Sequence, residues 1–350
     1  MMEHKLKYLY VLASDDSDYY LEQTLLSITS LRMKTPNAFV SVLCDATTES
    51  TLVGKRKKIC HVVDELVSVG INEYFDNKMA RSRWLKTSMR RHVKGDFLYI
   101  DSDTAIAEDL SLINELNIRL GAAADRNMDI SMFKQHNPSV FQWIQEVHDK
   151  LGFSSFATIK NYFNSGVILC KDCEVNHAFF DKWHELWLFC LESGVTIDQA
   201  SFNKANHDLG NMITELSAEW NCQLLACGSI RYFHDSKIIH YFATWKKNAY
   251  LLSNPDVYAD IKETGFVDDE LKRMLASPKS LFSPGVQLAE RNIVEELYLT
   301  KEELGKIRWE LSKAKRSSVN RIPLKKLLKI VIRKILRKIL QRIQCITRIR

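Results

Sequence analysis

Proline and glycine are scarce in this chain, six and twelve among 350 residues. That scarcity excludes collagen-like repeats and Pro/Gly-rich linker architectures. No uninterrupted apolar run reaches the roughly 18 residues needed to span a bilayer. The opening residues, MMEHKLKYLYVLASDD, hold one short apolar run that stops at Ser14-Asp15-Asp16 and lacks a small-residue cleavage site. They read as a first β-strand rather than a secretory signal, so a cytosolic location is expected. Acidic residues are missing from the last thirty positions, where eleven of the 49 Lys and Arg lie. Residues 1–320 therefore carry a net charge of −5, and the whole positive excess sits in residues 321–350.

What is present suffices for a large core. The chain is 46% hydrophobic and 10% aromatic, which excludes a disordered chain and fits one large domain or two ordinary ones. Most of the eight cysteines lie in apolar runs such as Val42-Leu43-Cys44 and Ile168-Leu169-Cys170. Buried, reduced thiols are the reading. Cys170 and Cys173 form a lone CxxC with His177 and His184 downstream, and this spacing matches no standard zinc finger.

Hydrophobic periodicity alternates along the first 125 residues. Strands are predicted at Leu6–Ala13, Phe39–Cys44, Glu65–Val69, Asp96–Ile100 and Ile118–Ala124. Helical spacing marks Asp18–Met33, Thr48–Cys60 is a candidate helix with Lys55-Arg56-Lys57-Lys58 as a solvated face, and Asn77–Val93 reads as a basic helix. Further on, Asn164–Cys170 and Lys237–Phe242 read as strands, and Val175–Ser193 and Asp198–Ala205 as helices. Strands alternating with helices imply an α/β fold with a mostly parallel central sheet flanked by helices. In such sheets ligands bind beyond the carboxyl ends of the strands. Three regions are expected: an α/β domain over 1–250, a helical extension over 251–320 and a basic helix over 321–350.

The sharpest chemical signal is Phe97-Leu98-Tyr99-Ile100-Asp101-Ser102-Asp103, a buried strand followed by two carboxylates two residues apart. Oxygen ligands suit hard divalent cations, which can bridge to phosphate oxygens and neutralise a leaving diphosphate. Asn161-Tyr162-Phe163-Asn164-Ser165-Gly166-Val167 approaches another strand with amides and a glycine. Asp198-Gln199 opens a helix with an acid beside an amide. His240-Tyr241 ends an apolar run, where His240 is a candidate third, nitrogen ligand that would favour Mn²⁺ over Mg²⁺. Lys246 follows as a point charge for phosphate.

These blocks, with Ala13-Ser14-Asp15-Asp16, Arg81 in Ala80-Arg81-Ser82-Arg83-Trp84-Leu85-Lys86, and Ala124-Asp125, resemble glycosyltransferase family eight over residues 6–250. That family comprises retaining nucleotide-sugar transferases, among them bacterial lipopolysaccharide galactosyl- and glucosyltransferases and glycogenin. The resemblance implies a GT-A fold, with Asp101, Asp103 and His240 as ligands for Mn²⁺ or Mg²⁺. It implies that Ala13 and Asp15 or Asp16 meet the uridine. Arg81, Asp125, Asn164 and Asp198 would hold the donor sugar, with Ser102 beside them between the two metal-binding carboxylates. Gln199 would lie at the anomeric carbon, with Asp198 and Gln199 as the catalytic pair, and Lys246 would meet the diphosphate. The closing block departs from the family pattern: Ala243 replaces a glycine, and no Pro-Trp follows Lys246. The stretch 126–160, with Phe133, Trp143, Phe153 and Phe156, corresponds to the acceptor border in that family. For each of these aromatics, core packing is the competing reading.

The tail has its own pattern. Leu328, Ile332, Ile335, Ile339, Ile343 and Ile346 repeat at helical spacing, opposed by Lys326, Lys329, Arg333, Arg337, Gln341 and Gln344. A basic helix with a continuous apolar face reads as lying in an anionic membrane interface. A nucleic-acid arm would not need so wide an Ile/Leu face, so no nucleic-acid partner is expected. The expected protein moves glucose or galactose from a UDP-sugar to a lipid-linked or lipopolysaccharide-type saccharide at the inner face of a bacterial cell membrane. Its rivals are a soluble glycogenin-like transferase and an inactive membrane or partner adaptor.

Overall fold

A computed structural model describes residues 6–282 apart from 72–74, 76, 137, 151, 154–158, 225–226, 243–251 and 253, together with 301–302 and 304–309. Residues 1–286 form one compact unit and 287–350 a second, of which the described residues, 301–302 and 304–309, are helical. The tail expected to meet membranes, Lys246 and Phe156 lie outside the described residues.

Among the described residues, ten strands build two sheets in the first unit. They are β1 (Lys7–Leu12), β2 (Phe39–Asp45), β3 (Glu65–Val69), β4 (Phe97–Ile100), β5 (Thr104–Ile106), β6 (Leu120–Ala124), β7 (Phe163–Cys170), β8 (Thr214–Leu216), β9 (Cys222–Gln223) and β10 (Ile238–His240). The main sheet runs β3-β2-β1-β4-β7-β6-β8. The first four strands are mutually parallel, with Leu9 opposite both Ser41 and Tyr99. Strand β7 runs antiparallel to both β4 and β6, and β8 is parallel to β6. The mostly parallel α/β sheet expected from the sequence is thus present. Strands β1, β2, β4 and β7 are buried along nearly their whole length, which is why they read as continuous apolar runs.

Side-chain alternation sends successive residues to opposite faces of the sheet. Tyr8, Tyr10, Leu12, Leu98 and Ile100 join one core, and Leu9, Phe97 and Tyr99 join the other. The helices α1 (Tyr20–Lys34), α3 (Lys78–His92), α6 (Glu174–Glu192) and α7 (Gln199–Asp208) contribute to these two cores. In the second core Trp183 packs on Phe202 with ring centroids 4.7 Å apart. Helix α3 begins where predicted, because the Asn77 side chain accepts the Met79 N–H as its cap.

Three local expectations are corrected. The helix predicted over Thr48–Cys60 is two pieces, α2 (Ala46–Ser50) and a 3₁₀ turn (Arg56–His61), separated by Gly54 at φ 53°. Within that turn Arg56 is buried rather than solvated: its guanidinium donates to the Asp15 carbonyl at 2.9 Å and pins the loop after β1. The three-residue strand β5 carries too few residues for any period to show. The strand predicted over Lys237–Phe242 shortens to β10, and Phe242 turns out of it at φ 50°.

The compact unit also extends past the boundary drawn at 250. Helices α8 (Pro255–Thr264) and α9 (Asp269–Leu275) lie on α1. Helix α8 has Asn254 as its cap, Pro255 in its first turn and Gly265 at φ 79° as its stop. From α8, Lys262 reaches the carbonyls of Asp16 and Asp18, and the Tyr258 hydroxyl meets that of Tyr241 at 2.8 Å and donates to the Leu252 carbonyl. Tyr258→Phe strands buried polar partners, so it should lower the unfolding free energy by roughly 1–3 kcal/mol. Urea denaturation read by tryptophan fluorescence tests this, and an unchanged midpoint would mean the hydroxyl pair does not hold α8.

Candidate functional site

The parallel strands β1 and β4 end side by side, and their carboxyl ends open on a cleft of about 380 Å³. The chain leaves β4 through Asp101-Ser102-Asp103 and turns directly into β5. Antiparallel pairing of β5 with β10 sets His240 opposite Thr104, so the imidazole arrives beside Asp103. Ligand atoms of Asp101, Asp103 and His240 all lie within 4.8 Å of one another. His240 Nε2 is 3.1 Å from Asp103 Oδ1. Burial works to raise the Asp103 pKa, but the neighbouring imidazole and its hydrogen bond outweigh it and hold the carboxyl below its ordinary value.

The far side of the imidazole is fixed by a residue that sequence reasoning missed. Fully buried Asn221 donates its amide N–H to Asn164 Oδ1 at 2.9 Å, leaving its own oxygen 3.0 Å from His240 Nδ1. That arrangement places a proton on Nδ1 and leaves Nε2, which meets Asp103, as the nitrogen available to a cation once its own proton is lost. Gly166 completes the cradle. A Cβ there would stand 2.5 Å from His240 Cε1 and 2.8 Å from Asp101 Oδ2. Two carboxylates and one imidazole, closed on one side by a position that admits no side chain, fit a divalent cation of the Mn²⁺ or Mg²⁺ kind.

The opposite wall is a charged network. Arg83 Nε lies 2.9 Å from Asp198 Oδ1, and Lys86 Nζ lies 3.3 Å from Asp198 Oδ2 and 3.2 Å from Asp101 Oδ1. Ser165 Oγ donates to Asp198 Oδ2 at 2.9 Å. Burial would raise the Asp198 pKa, but the Lys86 and Arg83 charges override it and keep the carboxyl ionised well below the usual range. Asn164 Nδ2 donates to both Asp125 Oδ1 and Gln199 Oε1, each at 3.2 Å. Burial raises the Asp125 pKa above its ordinary value.

Of the residues expected at the site, Ala13, Asp101, Ser102, Asp103, Asn164, Asp198, Gln199 and His240 line this one cleft. Asp125 stands behind Asn164, and Lys246 lies outside the described residues. Asp15 is bound by Lys78 at 2.8 Å, which holds its carboxyl far below the ordinary range. Asp16 has a side chain 82% exposed, 3.6 Å from Arg56. Neither aspartate is among the described residues lining the cleft. Arg81 is not either: it pairs with Asp45 at 2.8 Å, while Arg83 and Lys86 face the cleft. At about 100° per helical residue, positions 83 and 86 share a face of α3, whereas 81 lies about 200° from 83. That spacing puts the two arginines on different faces without saying which face meets the cleft. Beyond α4 (Ile130–His136), Trp143 on helix α5 (Pro138–Lys150) lines the cleft and is half exposed, whereas Phe133 and Phe153 are buried. Among the described residues the CxxC forms no metal cluster.

No protein-family model matches the chain, and no curated protein matches it in sequence. Solved structures do resemble it. An active-site mutant of LgtC aligns over 73% of this chain and 95% of its own, at 13% identity and TM-score 0.50. The galactosyltransferase LgtC in complex with donor and acceptor sugar analogs aligns over 76% and 98%, at 13% identity and TM-score 0.48. The bifunctional glycosyltransferase WbbM aligns over 69% of this chain, which spans 46% of WbbM, at 14% identity and TM-score 0.47. The match at TM-score 0.50, with the mostly parallel seven-stranded sheet and its flanking helices, gives the chain a GT-A glycosyltransferase fold. At such identities the likeness is one of fold.

Gly166→Ala should leave the far-ultraviolet spectrum unchanged and abolish Mn²⁺ binding, because the added methyl displaces His240 or Asp101. Calorimetric titration with Mn²⁺ measures this, and wild-type affinity in the variant would show that the three ligands do not form a cation site.

Proposed function

We propose that the protein is a retaining glycosyltransferase of the family-eight kind. On this reading it transfers glucose or galactose from a UDP-sugar to a saccharide acceptor and depends on a divalent metal. The observation that carries the reading is the Asp101–Asp103–His240 cluster facing Asp198, Gln199 and Asn164 across one cleft. Asp101, Asp103 and His240 would hold the metal, which supplies positive charge to a departing diphosphate. Asp198, kept ionised by Arg83 and Lys86, accepts hydrogen bonds from sugar hydroxyls. The Gln199 side-chain oxygen, oriented by Asn164, offers a neutral dipole to an oxocarbenium-like centre without forming an ionic trap. Each described carboxylate in the lining is already engaged: Asp101 by Lys86, Asp103 by His240, and Asp198 by Arg83 and Lys86. This favours a route in which the leaving diphosphate, rather than a dedicated side-chain base, takes the acceptor's proton. Half-exposed Trp143 offers a face on which an acceptor sugar can stack.

Activity should vanish with excess EDTA and return with Mn²⁺, and Asp103→Asn should lose at least about a hundredfold in turnover with the fold intact. Proton NMR of the product should show an α-linkage. Full activity in EDTA would remove the metal from the reaction, and a β-linked product would remove retention.

For residues 321–350 we propose attachment to the anionic inner face of a bacterial membrane, which would bring the cleft to a lipid-linked acceptor. The support is the opposed Ile/Leu and Lys/Arg series in the sequence. Deleting these residues should release the protein from vesicles containing anionic lipid and leave donor hydrolysis unchanged. Co-sedimentation reads the first effect, and undiminished sedimentation of the deleted form would place the attachment elsewhere.

A further inference from the structure

Lys86 is 2% exposed, yet it forms part of the wall of the cleft. Its Nζ finds two carboxylates, Asp101 at 3.2 Å and Asp198 at 3.3 Å, and lies 5.2 Å from the centre of the Tyr99 ring. A buried ammonium requires such counter-charges. One of them is a member of the cation cluster. Asp101 also accepts the Tyr99 hydroxyl proton. The carboxylate that a divalent ion would draw on is therefore already neutralised from inside the protein. Two cations on one carboxylate repel each other, and at this separation and burial the repulsion is poorly screened. Asp198 provides the alternative seat, because it already touches the same ammonium.

We propose that Lys86 is an internal counter-cation of the metal site. It competes with the divalent ion for Asp101 and shifts its charge onto Asp198 when that ion binds. Lys86 is thus a positioning residue that couples the cation cluster to the sugar-facing wall: a filled cation site leaves Asp198 more completely neutralised, and an empty one leaves Asp101 so. The inference rests on the metal reading of the proposed function. It carries a sign that a merely structural role does not have, since removing a buried lysine should improve the binding of another cation.

The test is Mn²⁺ affinity without any donor sugar, read from the free Mn²⁺ signal in electron paramagnetic resonance. Lys86→Met and Lys86→Gln should bind Mn²⁺ tighter than wild type by on the order of tenfold. Asp198→Asn, which confines the ammonium to Asp101, should bind it more weakly by a similar factor. Circular dichroism establishes that each variant is folded. Binding by the Lys86 variants but not by wild type would support the proposal in its strongest form. Unchanged or weaker affinity in folded Lys86 variants, beside measurable binding by wild type, would overturn the role of Lys86 and leave the metal reading standing. No Mn²⁺ binding by any form would overturn both. If neither Lys86 variant folds, Asp198→Asn decides, and undiminished affinity there would overturn the proposal.

Discussion

Three hydrogen-bonded residues of β10 against β5 are the constraint on which the rest of the site depends. Asp103 and His240 are 137 positions apart, and they meet because Ile238, Ile239 and His240 pair in register with Ile106, Ala105 and Thr104. A slip by one residue would turn the imidazole to the opposite face of this small sheet. The register is held from both sides. Ile238 and Ile239 are fully buried in the core beneath, and the Tyr241 N–H donates to the Asp103 carbonyl at 3.1 Å.

Around that junction the polar groups form a continuous chain. Asp125 binds Asn164, Asn164 binds Gln199 and Asn221, Asn221 binds His240, and His240 meets Asp103. Lys86 and Arg83 close the other side through Asp198 and Asp101. Burying so many charges is expensive unless every one is paired, and apolar replacements of such networks are often no less stable. The arrangement is better understood as holding charge in place than as holding the fold together. The fold has separate means, namely the two apolar cores on opposite faces of the seven-stranded sheet.

Much of this was legible along the chain. The β1, β2, β4 and β7 runs stand out because strands buried on both faces are continuously apolar, and helix α1 because its apolar residues recur at helical spacing. The Asp101-Ser102-Asp103 turn was legible because its carboxylate pair follows a buried strand and belongs to an ordered series of polar blocks along the chain. That Arg83 rather than Arg81 lines the cleft depends on the rotation of α3 relative to it, which a motif does not contain.

The amino-acid order by itself determined most of the strands, the main helices and the residue types able to hold a divalent cation. Local periodicity and side-chain chemistry are properties of neighbouring residues. Only the tertiary structure decided which of these residues share a cleft, that Asn221 sets the proton on His240, and that Lys86 stands between Asp101 and Asp198. Each of those facts joins residues from distant segments. Such contacts are created by sheet register and core packing, and no short stretch of sequence encodes them.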